Sequence, residues 1–220
     1  MTTLAIVGAG PGVGAAVARR FGREGFAIAL LSRSGAGGPA AELAAEGLTV
    51  RGFAADVRDR SGLASALADA AAALGPIEVL QYSPIPAREF LRPVLETTHD
   101  DLAAAVEFSV HGPMAAIQQV LPGMRELGRG TVVLVNGGSA ARPNAAVAGT
   151  SVAFAAESAY ARMLHDVVAG DGVHVTQLIV PGAIREDDPV TNGPAIAEHV
   201  WTLHRSREGF RHFHTPLPEA

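Results

Sequence analysis

Seven residues near the amino terminus, Gly8-Ala9-Gly10-Pro11-Gly12-Val13-Gly14, form a glycine-rich turn between an apolar run and an alanine-rich stretch. A turn of this kind, after a strand and before a helix, lets the main chain approach a pyrophosphate and sets that charge against the helix N-terminus. Gly12 and Gly14 lack the Cβ atoms that would obstruct the ligand and the helix–strand contact. Glycine also serves ordinary tight turns, so the dinucleotide reading rests on the strand before and the helix after. Ser32, Arg33 and Ser34 come next, the first of them eighteen residues beyond Gly14 (32 − 14 = 18). A site for NAD usually places an acidic residue there, on the ribose 2′-hydroxyl. Here the chain offers a hydroxyl and a guanidinium, a pair suited to a 2′-phosphate. The alternative is a solvated surface arginine. NADP(H) is therefore expected in preference to NAD(H).

Other reactive side chains are more scattered. Tyr82 closes an apolar run on the cofactor side and is a conceivable proton donor, as is His111 unless its helix buries it. Tyr160 reads as a packing or interface residue. Four of the eight histidines come late, at His199, His204, His212 and His214. His212-x-His214 has a ligand-like spacing, but no carboxylate or cysteine completes a set, and a solvated or packed tail is the other reading. No metal is expected.

The elements that must position these groups are set by the hydrophobic pattern. Strands are expected at 4–7, 26–31, 48–54, 77–81, 131–135 and 173–180. Helices are expected at 13–24, 63–74, 100–127 with a kink or break at Pro113, 150–168 and 195–204. The glycines at 35–38 suggest a short, loose second crossover. Strands without polar alternation, separated by helices, describe a doubly wound, Rossmann-type α/β sheet.

Set in that order, the motifs resemble the short-chain dehydrogenase/reductase family. Val7-Gly8-x-x-x-Gly12-Val13-Gly14 is similar to its Thr-Gly-x-x-x-Gly-x-Gly turn, with Val7 in place of the threonine. Asp56-Val57 resembles the pair that contacts adenine in that family, and Pro181-Gly182 resembles its turn near the nicotinamide. The resemblance covers residues 3–183 and rests on the order and spacing of several motifs. It implies a seven-stranded sheet and an oxidoreductase acting on a carbonyl or activated double bond. It also implies a homodimer or homotetramer built on the long helices near 100–127 and 150–168. Cofactor contacts are expected at Gly8, Gly10, Gly12, Val13, Gly14, Ser32, Arg33, Asp56, Val57, Ser83, Pro181 and Gly182.

The family's catalytic asparagine, serine, tyrosine and lysine fall here on Ser109, Gly137, Thr150 and Phe154. The thirteen-residue spacing of its serine and tyrosine is kept (150 − 137 = 13), and all four identities are changed. Its Asn-Asn-Ala-Gly after the fourth strand is replaced by Tyr82-Ser83-Pro84-Ile85. A threonine hydroxyl is a far weaker acid than a phenol, and Phe154 has no hydrogen bond to give. Ser139, two residues beyond Gly137, either swings toward a substrate or caps its loop. Ser139, Thr150 and Tyr82 are thus the catalytic candidates. Two readings stay open: an NADP(H)-dependent oxidoreductase with a rebuilt site, and a non-catalytic NADP(H)-binding sensor or scaffold of the same fold. A lyase or isomerase has no residue signature.

Composition narrows the classes further. With 220 residues the chain suits one sizeable domain, with 184–220 a weakly patterned substrate-side and C-terminal segment. Its 48% hydrophobic and 18% charged residues exclude a disordered chain. The absence of cysteine excludes a disulfide scaffold and fits a reducing compartment. A formal charge of −5 offers no basic face for nucleic acid or anionic membrane. The start lacks a signal-peptide pattern, and no nearly unbroken apolar segment of about 20 residues exists for a membrane span. A cytoplasmic protein with a small-molecule substrate is expected.

Overall fold

Strands that are apolar on both faces must lie between two layers of helix. The computed structural model, which describes residues 1–217, shows that outcome; residues 218–220 of the expected C-terminal segment lie outside the described residues. The strands are β1 (Thr3–Val7), β2 (Ala27–Ser32), β3 (Val50–Ala54), β4 (Ile77–Tyr82), β5 (Gly130–Gly137), β6 (Val173–Val180) and β7 (Arg211–Phe213). All pairings are parallel, and the seven form one sheet in the order β3-β2-β1-β4-β5-β6-β7. The helices are α1 (Val13–Gly22), α2 (Gly37–Ala45), α3 (Arg60–Leu74), α4 (His99–Val106), α5 (Gly112–Glu126), α6 (Ala148–Val168) and α7 (Gly193–Ser206). Val17, Phe21, Leu43, Ile196 and Val200 bring α1, α2 and α7 onto one face of the sheet. Leu63, Leu67, Ile117, Val120 and Ala161 bring α3, α5 and α6 onto the other. Each of the larger side chains contributes roughly 1.5–3 kcal/mol by leaving water, which is why the alternation of strand and helix dictates the layers.

The chain leaves β1 toward β2 and returns from β3 to β4 on the other side of β1. Ligands of open α/β sheets bind where the strand order reverses in this way. The two exits are tied together at that point: the Ser83 N–H donates to the Val7 carbonyl at 2.9 Å. Gly8 has φ +86°, and Pro84 main chain occupies the space a Cβ would need, so only glycine serves there.

Three details differ from the pattern reading. The second crossover is a helix, α2, because the alanines after the glycine run propagate it and the buried Leu43 anchors it. The break expected at Pro113 lies just before it. Residues 107–111 form a π-type turn in which the Gly112 N–H reaches back to the Glu107 carbonyl. Pro113 has no N–H to close the regular ladder, and the preceding turn widens. Finally, the seventh strand that the resemblance implied exists as β7, three residues that the hydrophobic pattern did not mark.

Candidate functional site

The C-terminal ends of β1, β2 and β3 open into a cleft of about 450 Å³. Gly8, Gly10, Ser32, Arg33, Asp56 and Val57 all line it, six of the positions expected to hold a dinucleotide. Added Cβ atoms at Gly10 and Gly12 would meet nothing within 4 Å, whereas one at Gly14 would stand 3.2 Å from the Ala9 Cα, so glycine there serves close helix–turn packing. No side chain caps the first turn of α1, and no acidic residue occupies it. The Ala15 N–H turns back to the Gly10 carbonyl at 3.1 Å, which leaves the Val13 and Gly14 N–H groups for an anion. Val13 is the first residue of α1. Gly12 faces a second groove, shared with α7.

Arg33 is exposed and makes no hydrogen bond or ion pair among the described residues. Beside it the Ser32 and Ser34 hydroxyls stand 3.4 Å apart. Asp56 accepts the Arg58 N–H at 3.0 Å, which fixes the loop after β3. Ser83 accepts from Gln81 Nε2 at 2.9 Å. Pro181 and Gly182, the latter with φ +76°, come after β6 and lie beyond the lining of this cleft.

The positions of the changed catalytic set are gathered at the ends of β5 and β6 and the start of α6. Gly137 ends β5, exposed, with open space where a side chain would stand. Ser139 lies in the short turn after it and donates to Thr150 Oγ1 at 3.5 Å. Thr150 in turn donates to the Val147 carbonyl at 3.1 Å and is buried. Phe154 is 7% exposed and packs against Ala140 and Ile179. Ser109 is buried within the π-type turn. The structure thus brings Ser139 and Thr150 together.

Tyr82 is a correction. It ends β4 as expected, but its ring is buried beneath α5 and its hydroxyl donates to the Phe108 carbonyl. Gly112 leaves the room this requires, since a Cβ there would collide with the phenol oxygen. Burial, with Glu157 and Asp56 adding to it, pushes the Tyr82 hydroxyl well above the usual phenol range. A phenol so placed is a packing and anchoring group and does not reach a substrate. Tyr160 is half-buried against the core. His111 is exposed on the π-type turn.

The late histidines brace the C-terminal segment. His199 and His214 face each other through Nδ1 atoms 3.2 Å apart, and His214 donates from Nε2 to the Val190 carbonyl at 2.6 Å. His212 bonds the Glu208 carbonyl and His204 bonds Thr131. Among the described residues no group of three His, Cys, Asp or Glu is arranged to hold a metal, and no helix is long and apolar enough to cross a membrane.

One cluster was not anticipated. Glu157, two turns along α6 from Thr150, is 1% exposed, and its Oε2 accepts from Asn136 Nδ2 at 2.8 Å while Oε1 has no partner. Asn136 Oδ1 accepts from Gln177 Nε2 at 2.8 Å, and the same amide donates to Ser158 at 2.7 Å. Burial pushes Glu157 up to about 8, against a smaller downward pull from the Asn136 amide. The sequence signal was a lone carboxylate on the alanine-rich inner face of α6.

Comparison with known proteins agrees with this geometry. The family model described as short chain dehydrogenase matches residues 2–190. A D-threitol dehydrogenase from Mycolicibacterium smegmatis is 33% identical over 130 residues, which cover 58% of this chain and 49% of that protein; the match thus spans about half the length of this curated relative. Among solved structures, a short-chain dehydrogenase from Rhodopseudomonas palustris superposes with a TM-score of 0.85 at 24% identity, covering 98% of both chains. A metagenomic short-chain oxidoreductase in complex with NADP gives a TM-score of 0.83 at 20% identity, covering 100% of this chain and 98% of that one. At these identities the two structures speak for the fold.

Proposed function

This chain belongs to the short-chain dehydrogenase family, and we propose that it is an NADP(H)-dependent oxidoreductase with a rebuilt active site, acting on a small carbonyl compound or activated double bond. The carrying observation is the cleft at the strand reversal, where a glycine turn, an uncapped helix N-terminus and an unpaired arginine converge. The residues fit an adenosine 2′-phosphate joined to a diphosphate. Gly10 and Gly12 leave space, the α1 N-terminus takes the bridge, and Arg33 with Ser32 takes the 2′-phosphate. That a fold neighbour was solved with NADP supports the same choice. When bound, the nicotinamide supplies or accepts a hydride. In this chain Ser139 orients a substrate oxygen from its place beside the buried Thr150, while the proton comes from solvent or from the substrate. On the same footing we read the chain as one domain, cytoplasmic, working as a homodimer or homotetramer.

A second reading, a sensor or scaffold that holds NADP(H) without turnover, is favoured by a specific observation. Among the described residues no phenol or ammonium group stands at the end of β5 or the start of α6, and Tyr82 is withdrawn into the core. NADPH oxidation measured across aldehyde, ketone, quinone and enone substrates, beside calorimetric titration with NADPH, separates the two. Turnover establishes the enzyme; binding with uniform silence establishes the binder; no binding defeats both. Arg33→Ala tests the cofactor choice. A charge-assisted bond is worth roughly 1.5–3 kcal/mol, hence a loss of about ten- to 150-fold in NADPH affinity with little change for NADH. Equal loss for both cofactors would show that Arg33 does not read the 2′-phosphate.

A further inference from the structure

We infer that the compound admitted beside the cofactor is an anion, a small carbonyl compound bearing a carboxylate, and that Arg88 is the residue that selects it. The inference rests on the oxidoreductase reading above and deepens it by naming the class of substrate. Three arginines line the cleft, Arg33, Arg58 and Arg88. Two of them have an occupation: Glu107 holds Arg58 at 3.1 Å, and Arg33, just after β2, takes the 2′-phosphate. Arg88 is exposed and makes no hydrogen bond or ion pair among the described residues. Its neighbour Glu89 also lines the cleft but is not paired with it; successive residues of a 3₁₀ turn project about 120° apart.

On a loose loop such an arginine would be a solvated side chain and no more. This one is mounted rigidly. It opens a single 3₁₀ turn, Arg88–Leu91, in which the Phe90 N–H donates to the Ala87 carbonyl at 3.0 Å. Phe90 is buried, its ring 5.3 Å from that of Phe108. Its main chain lies against α6: an added Cβ at Gly149 would stand 2.9 Å from the Phe90 carbonyl oxygen. The Ala148 N–H, at the first residue of α6, donates to the Arg92 carbonyl at 3.0 Å. The turn is thus fixed to the start of α6 beside Thr150, and its arginine lines a wall shared by the cofactor cleft and the helix of the changed catalytic positions. Arg92 is spent on Asp101 at 3.0 Å. Between β4 and Arg88 the lining is apolar, and Ile85 is 85% exposed, a surface that a substrate body would cover. The guanidinium fork beside it matches the two oxygens of a carboxylate.

The test uses pyruvate, 2-oxobutyrate, 4-oxopentanoate and phenylglyoxylate, each beside its methyl ester, which keeps the carbonyl and removes the charge. Reduction of such an acid takes up one hydride from NADPH at the carbonyl carbon and one solvent proton at its oxygen, giving the hydroxy acid and NADP⁺. Calorimetric binding to the NADP⁺-saturated chain is measured beside NADPH oxidation. At least one acid is expected to bind about ten- to 150-fold more tightly than its ester, the range of one charge-assisted bond. Arg88→Gln should bring that acid down to its ester, leave the ester and NADPH affinities unchanged, and raise KM without lowering kcat where turnover is seen. Arg88→Lys should keep part of the preference. Failure of every acid to bind, esters equal to acids, or a preference that survives in Arg88→Gln would overturn the inference and leave the dinucleotide reading in place. A matching fall in NADPH affinity in Arg88→Gln would assign the guanidinium to the cofactor's phosphates and likewise overturn it. A wild-type chain that binds no NADPH would overturn the underlying reading as well.

Discussion

Glu157 is a carboxyl group with nowhere to put a negative charge. One oxygen receives a single amide bond and the other receives none, so the neutral acid is the form the core tolerates. An unfolded chain releases this proton near 4.5, whereas the folded chain holds it to about 8. Across that interval the folded state binds more protons, so stability falls as pH rises through it and the loss is complete above the upper value. At about 1.4 kcal/mol per unit, the change is on the order of a few kcal/mol. Glu157→Gln keeps the shape and the acceptor for Asn136 without the charge. Thermal melts in a pH series should show the wild-type midpoint declining from pH 6 to 9 and the variant flat over that range. Parallel curves would mean that Glu157 is ionised in the folded chain. His174 works in the opposite direction: burial, aided by His165, pulls it down to about 4. Its contribution is present above 6.5 and lost as pH falls toward 4, so between 6.5 and 4.5 it offsets the Glu157 gain in the wild type and leaves the variant with the steeper acid-side decline.

At the scale of elements, β5, the turn after it and the first two turns of α6 form the frame on which a proton-transfer pair could be rebuilt. Residue 137 has extended backbone (φ −75°, ψ 173°) and open space, so Gly137→Ser introduces no clash. Thr150→Tyr and Phe154→Lys place a phenol and an ammonium one turn apart on one face of α6. The second change has a cost, because emptying a buried phenylalanine site destabilises by roughly 3–5 kcal/mol. The lysine stem recovers part of that packing. General acid catalysis is worth roughly 10²–10⁴-fold. A modest gain in NADPH oxidation with a small carbonyl substrate is expected from the triple variant and little from any single change, because such groups act as a unit. A triple variant that folds, binds NADPH and reduces nothing would favour the non-catalytic reading.

For the whole molecule, the outer face of α6 bears on the proposed assembly. Val152, Met163 and Val167 are 51%, 62% and 73% exposed. Spaced eleven and four residues apart, they fall on one stripe of the helix. Light scattering is expected to give a dimer or tetramer, and Met163→Glu with Val167→Glu to give a monomer with unchanged circular dichroism. A wild-type monomer at micromolar concentration would remove the proposed assembly. An unchanged oligomer in the double variant would move its interface off this stripe.

Local chemistry was enough for β1, β2, β4, β5 and β6, because a strand covered on both faces must be apolar throughout, and such runs have few other uses. The phosphate-binding turn was equally legible, since its glycines, the strand before and the helix after are contiguous in the chain. The glycine run at 35–38 suggested a loose loop, yet helix formation there is decided by the alanines and Leu43 just beyond it. Strand β7 left no pattern of its own. Arg211-His212-Phe213 becomes a strand only because the edge of β6 offers it hydrogen-bonding groups, with the Gln177 N–H bonding Phe210 and the His214 N–H bonding Ile179. Tyr82 shows the same limit within the site. Its place at the end of β4 was readable, but consecutive strand residues point to opposite faces, and which face holds the cleft is not written locally. Gly112 and Phe108, some thirty residues away, supply the cavity and the acceptor that take its hydroxyl out of reach. Glu157 and Asn136 likewise meet across 21 residues of chain. Which groups are buried, and therefore which hold their protons, depends on contacts between segments far apart in sequence, and only the packed sheet and helices create those.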